Sequence, residues 1–266
     1  MVIGRYTITS SMKSVIIAAL CTAALVGSGL VLYSTFTGDR IEIEIGDRHF
    51  EVPKLGPGRA PRVMKTIYLH RGGATLSAGV DDSHQNRSSV VRGAGLETVT
   101  IPAFAGSDRR WKEVVACVKK QYDRFDVVVT DERPRDRGYV MVVFGGAPKL
   151  LKAGKRVGGL APFNSETIED PVVFVFSRAL SEQLRPVCET AAMEIAHTYG
   201  LDHEHTCKDP MGYLGGCGAR WFQDKEYPCG EHKARACADG KPTQNSVARL
   251  TSVLGSRRQA ASRQLD

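Results

Sequence analysis

The sequence predicts an α/β sandwich-like catalytic domain, in the order strand, helix, several strands, helix. Three observations carry this expectation. Short runs of β-branched and apolar residues at 125–130, 139–144 and 172–176 read as sheet strands. An amphipathic stretch places Trp111, Val114, Val115, Val118 and Tyr122 at spacings of three and four, the mark of a helix with one buried face. A second long helix, opened by Pro186, carries a cluster of carboxylate and histidine side chains.

Taken in order, the main domain begins near Lys65, where residues 65–71 read as the first strand. Residues 72–95 are rich in Gly, Asp and Ser and read as a loop. Ser107 or Asp108 can cap the first helix, whose buried face includes or borders Cys117. Residues 131–138 form the turn between two strands, and the apolar run 172–176 suits a strand buried on both faces. A short turn or helix over 179–185 precedes the long helix. The expected divisions are 1–38 as an N-terminal membrane segment, 39–64 as a linker, 65–255 as the catalytic domain, with 206–255 its cysteine-rich part, and 256–266 as a tail. Within the linker region, the alternation Ile41-Glu42-Ile43-Glu44-Ile45 and the Pro and Gly residues after it suit a stalk or a small hairpin.

Residues 15–36 include no charged side chain, and 22 residues give about 33 Å of helix, enough for a hydrocarbon core of roughly 30 Å. Arg5 and Lys13 precede the segment, so the positive-inside bias sends the rest of the chain outward. A signal anchor is preferred to a cleaved signal peptide, because Val26-Gly27-Ser28 is a loose cleavage match and hydrophobicity resumes at Leu30. The chain is therefore expected either membrane-anchored and facing the periplasmic or extracellular side, or secreted. Besides Cys21 in the apolar segment there are six cysteines, Cys117, Cys188, Cys207, Cys217, Cys229 and Cys237. An even number beyond an export segment suggests disulfides, in any of fifteen pairings, and the absence of a Cys-x-x-Cys pair counts against a zinc cluster. The net charge of +7 is scattered over solvated faces without aromatic interleaving, which argues against a nucleic-acid partner.

The chemistry concentrates in Met193-Glu194-Ile195-Ala196-His197-Thr198-Tyr199-Gly200-Leu201-Asp202-His203. Positions 193 and 197 are four apart and share a helix face, Gly200 permits a sharp turn, and His203 returns to the same point. This segment resembles the metzincin zinc-protease pattern H-E-x-x-H-x-x-G-x-x-H at four of its five specified positions. Asp209-Pro210-Met211-Gly212-Tyr213 is similar to the methionine-containing turn beneath the metal in that family. The cysteine-rich remainder, with Cys229-Gly230-Glu231 and Gln244-Asn245-Ser246, looks like a bacterial exported group related to the matrixins.

The resemblance implies a zincin-like fold, a twisted mixed sheet with two long helices, over about residues 65–213. It implies zinc as cofactor, His197 and His203 as ligands, Glu194 as general base, Tyr213 as a group reaching the metal or the transition state, and a peptide or protein substrate. Met193 departs from the pattern, since it stands where the first histidine ligand belongs. A thioether is a soft, uncharged and poor donor to zinc, so loss of that imidazole leaves zinc weak or absent. Three outcomes follow: a hydrolase whose coordination is completed by Tyr213, His205 or water; a pseudoprotease that binds peptides; or a softer ion such as Cu(I) held by Met193, His197 and His203.

Overall fold

The computed structural model describes residues 63–216 and 218–257, together with the backbone of residues 32–37, 40–45 and 48–53. The chain divides into two units, Met1–Arg59 and Ala60–Asp266. In the first, β1 (Leu32–Thr37), β2 (Arg40–Ile45) and β3 (Arg48–Pro53) form an antiparallel sheet in the order β1-β2-β3. The alternating isoleucines lie in β2. This corrects the end of the expected membrane helix: residues 32–36 are extended and pair with β2, Leu32 opposite Ile45 and Phe36 opposite Ile41. Tyr33, Thr35, Phe36 and Thr37 are aromatic or β-branched, types that favour a strand once a partner is at hand. The remainder of the predicted span, 15–31, lies outside the described residues, and among those described no helix is long and apolar enough to cross a membrane.

The second unit is a mixed α/β structure. Its strands and helices, in chain order, are β4 (Thr66–His70), β5 (Ala74–Ala78), β6 (Arg87–Ser88), α1 (Ser89–Gly93), β7 (Thr98–Ile101), α2 (Asp108–Gln121), β8 (Val128–Thr130) and β9 (Tyr139–Phe144). There follow β10 (Gly159–Leu160), β11 (Val172–Val175), α3 (Leu184–His197), β12 (Tyr227–Pro228), β13 (Thr243–Gln244) and α4 (Ser246–Leu254). The main sheet runs β10-β11-β9-β4-β8, with all pairs parallel except β10 against β11 at one edge.

Strand periodicity sorts the central strand β9 between two cores. Val140, Val142 and Phe144 face Trp111, Val114 and Val118 of α2 and Val187, Ala191 and Ile195 of α3. Tyr139, Met141 and Val143 face Leu76, Val99 and Ile101 of a small sheet ordered β6-β5-β7, with Val91 of α1. Every β9 side chain is buried, as expected of a central strand covered on both faces. Ser107 accepts from the Arg110 amide at 3.2 Å to cap α2. The helix α3 starts two residues ahead of Pro186, which the first turn tolerates because its amide would be unpaired there in any case.

Within this unit the structure corrects the sequence-based expectations in three further places. Residues 72–95 are not a plain loop: they form β5, a short 3-10 turn at Ser83–Gln85, β6 and α1. Leu76 is the one large apolar residue in β5, too weak an alternation to announce a strand. The strand expected over 125–130 is shortened to β8, because Phe125 turns inward to pack with Tyr122 and Phe222 at ring distances of 6.1 and 6.2 Å. In the expected tail, Ser256 pairs with Phe125 and the Arg257 amide donates to Arg124 at 3.1 Å.

Cys117 and Cys188 join α2 to α3 across 71 residues, Cys229 pairs with Cys237, and Cys207 is also disulfide-bonded. Cys217 lies outside the described residues. Closing a loop of 71 residues restricts the unfolded chain by about 4 kcal/mol. The double variant Cys117→Ala/Cys188→Ala is accordingly expected to lose roughly that much unfolding free energy in chemical denaturation. An unchanged midpoint and slope would show that the bridge contributes nothing.

Candidate functional site

The site gathers where α3 ends. Along its last turns Met193, Glu194 and His197 are all buried, at 9, 6 and 6% exposure. Helix frame and position are fixed by Tyr122, which donates to the Ala192 carbonyl at 2.8 Å, and by Tyr199, which donates to the Met64 carbonyl at 2.7 Å. The turn that follows α3 closes at Gly200, whose φ of 86° lies in the left-handed region. The amides of Gly200 and Leu201 bond back to the carbonyls of His197 and Ala196, the paired bonds of a Schellman ending. A Cβ at Gly200 would also collide with Arg249 and stand 2.6 Å from the Ser165 carbonyl oxygen, so glycine is required twice over.

The turn brings His203 back to His197, with their Nε2 atoms 3.0 Å apart and the rings edge-to-face at 4.6 Å. The opposite nitrogens decide what this pair can do. His197 Nδ1 donates to the Leu201 carbonyl at 2.7 Å, and His203 Nδ1 donates to Glu231 Oε1 at 2.8 Å. Both rings therefore turn Nε2 toward one point. Two imidazole lone pairs at that distance repel, and a proton or a cation between them removes the repulsion. Burial, with His203 beside it, pushes His197 down to about 4, so that ring stays neutral and keeps its lone pair. A carboxylate behind one imidazole and a backbone carbonyl behind the other is the arrangement that orients histidines for a metal.

Glu231 is held in its turn. Arg235 donates to it at 3.1 Å and grips Asp202 at 2.6 and 2.9 Å. The His203 hydrogen bond keeps the Glu231 carboxyl below its usual range. Burial would raise Asp202, but Arg235 and the amides of Ala238 and His203 outweigh it and hold that carboxyl low as well. The Cys229–Cys237 bridge closes the segment that carries Glu231 and Arg235. Asp202, His203 and Glu231 form the only cluster of three His, Cys, Asp or Glu ligand groups among the described residues, and it does not include His197. With Arg235 on both carboxylates, these acids orient His203 and do not form a separate ion cage.

Glu194 points into a space that a missing side chain provides. A Cβ on Gly159, in the edge strand β10, would lie 2.5 Å from Glu194 Cγ and 2.8 Å from its Oε1. Burial pushes the Glu194 carboxyl up to about 8. Gly159→Ala is therefore expected to cost about 1–3 kcal/mol by overpacking, read as a lowered denaturation midpoint. No loss of stability would mean that Glu194 can move aside freely.

Met193 packs in the core shared by Ala192 and Ile195, and it borders an open pocket of about 510 Å3 with Thr190, Pro210 and Arg220. Met211 is fully buried in a turn closed by the Gly212 amide on the Asp209 carbonyl at 3.0 Å. Its amide bonds to Asp209 Oδ1 at 2.9 Å, and its carbonyl accepts from the Glu204 amide at 2.9 Å, tying the turn to the His203 segment. A Cβ on Gly212 would strike the Thr206 carbonyl. Tyr213 is half exposed with its ring 4.5 Å from that of His203. Burial and the negative charges of Glu194 and Glu231 raise its phenol. His205 is tied by its amide to the Pro228 carbonyl, and its Nδ1 is buried without a hydrogen-bond partner.

The structure thus sets His203 between His197 and Tyr213, with Glu194 on the same helix as His197 and the Met211 turn tied to the His203 segment. Sequence reasoning did not assign roles to Glu231, Arg235, Asp202, Gly159 or Phe163, whose ring lies 5.4 Å from that of His197. Glu231 carried a signal in the Cys229-Gly230-Glu231 group, whereas Gly159 carried none. Compared with known proteins, the chain matches no family model and no curated protein sequence.

Proposed function

We propose that the chain is a metzincin-type, metal-dependent endopeptidase with an altered zinc site. The observation that carries the reading is the pair of imidazoles with Nδ1 engaged and Nε2 convergent, adjoining a buried glutamate at the edge of a sheet. The order of elements, with the second long helix leading into the Gly200 turn and the Met211 turn, supports the same family. The donor set fits zinc: neutral imidazole nitrogens suit its borderline-soft character, and both carry the backing hydrogen bonds that strengthen them as ligands. When bound, zinc supplies a Lewis acid that polarises the peptide carbonyl and acidifies the attacking water.

The chain's own groups do the rest. His197 and His203 would hold the ion, and position 193 would offer it only a thioether. Glu194 takes a proton from the attacking water and delivers it to the departing amine. Tyr213 stands beside His203 to donate a hydrogen bond to the developing oxyanion. The strand β10 is the last in its sheet, so an extended peptide can add to it by backbone hydrogen bonds and pass Glu194 on the way. Phe163 and Tyr213, both partly exposed, flank the imidazoles and offer apolar contact to substrate side chains. The disulfides indicate an oxidising compartment, and attachment to a membrane through the N-terminal segment belongs to this proposal.

Catalytic inactivity is the second reading, and a specific observation favours it: Met193 packs with the apolar core, and no third His, Cys, Asp or Glu joins the His197–His203 pair among the described residues. The two readings separate on incubation of the purified full chain with a peptide mixture, followed by mass spectrometry. The endopeptidase reading expects new termini that a chelator suppresses and added zinc restores. Intact peptides under every condition, with retained peptide binding, would leave the pseudoprotease.

A further inference from the structure

The segment that carries Tyr213 is rich in glycine. Gly212, Gly215, Gly216 and Gly218 surround it, and residues 213–216 belong to no helix or strand. The Tyr213 ring nevertheless sits against His203. One side chain grips the backbone on both sides of it. Arg220 Nη1 donates to the Gly212 carbonyl at 2.6 Å, and Nη2 donates to the Leu214 carbonyl at 2.7 Å. Arg220 is itself anchored to α3: its amide donates to Glu189 Oε1 at 3.0 Å, and its Nε lies 4.0 Å from Glu189 Oε2. Both side chains are largely buried, at 18 and 14% exposure, where such a contact is screened less than on the surface. Glu189 lies on the helix that supplies Met193, Glu194 and His197.

We propose that Arg220, braced by Glu189, is a positioning residue that holds Tyr213 over His203 by clamping the two carbonyls that bracket it. The planar guanidinium offers divergent donors in a fixed fork, so one group can span both carbonyls, whereas a lysine ammonium is a single compact charge on a flexible stem. A purely structural arginine would stabilise the loop without setting the Tyr213 ring against the imidazole. The kinetic consequence rests on the endopeptidase reading; the placement of the ring does not.

The test uses the full chain, metal-free, with ring-labelled tyrosines, and the Tyr213 resonance is identified by its disappearance in Tyr213→Phe. In Arg220→Gln that resonance is expected to move toward the position of a free tyrosine as the ring leaves His203, while the other tyrosine signals stay in place. Glu189→Gln, which keeps the guanidinium, should move it in the same direction by less and decides the matter should Arg220→Gln fail to fold. An unmoved Tyr213 resonance in either folded variant overturns the proposal. If the natural chain hydrolyses peptides, Arg220→Gln should lower kcat on the order of 10²-fold, as expected of an ångström-scale misplacement, and should cost nothing further in a Tyr213→Phe background. Independent, multiplying losses would equally overturn it. A chain without hydrolysis leaves the resonance test intact.

Discussion

Met193→His is expected to raise zinc affinity by at least about 10–100-fold, the range by which even the outer partners of a metal ligand alter binding. Position 193 lies one helical turn before His197 on the same face, so an imidazole there adds a third nitrogen to a pair whose tautomers are already set by Leu201 and Glu231. Fully formed, the third ligand is worth at least about 1.4–2.7 kcal/mol of binding free energy. Competition against a chromogenic chelator measures it directly. Equal affinity in the natural chain and the variant would mean that side chain 193 faces the pocket beside Pro210 and not the imidazoles.

Glu194→Gln is expected to act in two opposed ways. Hydrolysis should fall by about 10²–10⁴-fold, the usual contribution of a positioned general base. Stability should rise. Burial lifts the Glu194 carboxyl from its ordinary 4.5 to about 8, so in metal-free protein the folded state keeps a proton that the unfolded chain gives up. The sign follows: the favourable contribution is complete below about 4.5 and is lost as pH rises through about 8. Glutamine does not titrate. The variant should therefore match the natural chain near pH 4.5 and exceed it by a few kcal/mol above pH 8. Denaturation curves of chelated protein at the two pH values supply the check. A variant less stable at high pH would show Glu194 to be satisfied by partners that glutamine cannot replace.

Under the proposed function this is an exchange of stability for chemistry. It gives the carboxylate at 194 a physical reading that its helix propensity alone does not.

What the sequence disclosed was local. Trp111, Val114 and Val118 repeat at helical spacing and form the inner face of α2, and the run 139–144 is fully buried in β9. The Glu194, His197, Gly200 and His203 spacings are set by one helix and one turn, so they could be read without a tertiary structure. What stayed hidden depends on distant parts of the chain meeting. Glu231 reaches His203 across 28 residues, and Cys117 finds Cys188 across 71, one choice among fifteen pairings. Gly159 is required only because β10 packs against Glu194, a fact that no pattern around residue 159 records. The N-terminal helix expectation failed over 32–36 for a related reason: hydrophobicity announced burial, but the partner strand β2 decided the conformation.

Glu204 and Asp209, both fully buried, adjoin the Met211 turn; burial raises both carboxyls, and the charge of Asp209 raises Glu204 further. Ser246 and Gln244 donate to Glu204, and the Met211 and Gln223 amides donate to Asp209. These bonds join the Met211 turn to the start of α4, and so the cysteine-rich part belongs to the site's foundation.

The central claim is that His197 and His203 hold a metal ion, and elemental analysis of the purified full chain tests it most directly. The account predicts that the natural chain, equilibrated with excess zinc, takes up about one ion, and that His203→Ala, with its fold retained, takes up none. Zinc at background in the natural chain, or the same content in both proteins, would contradict it.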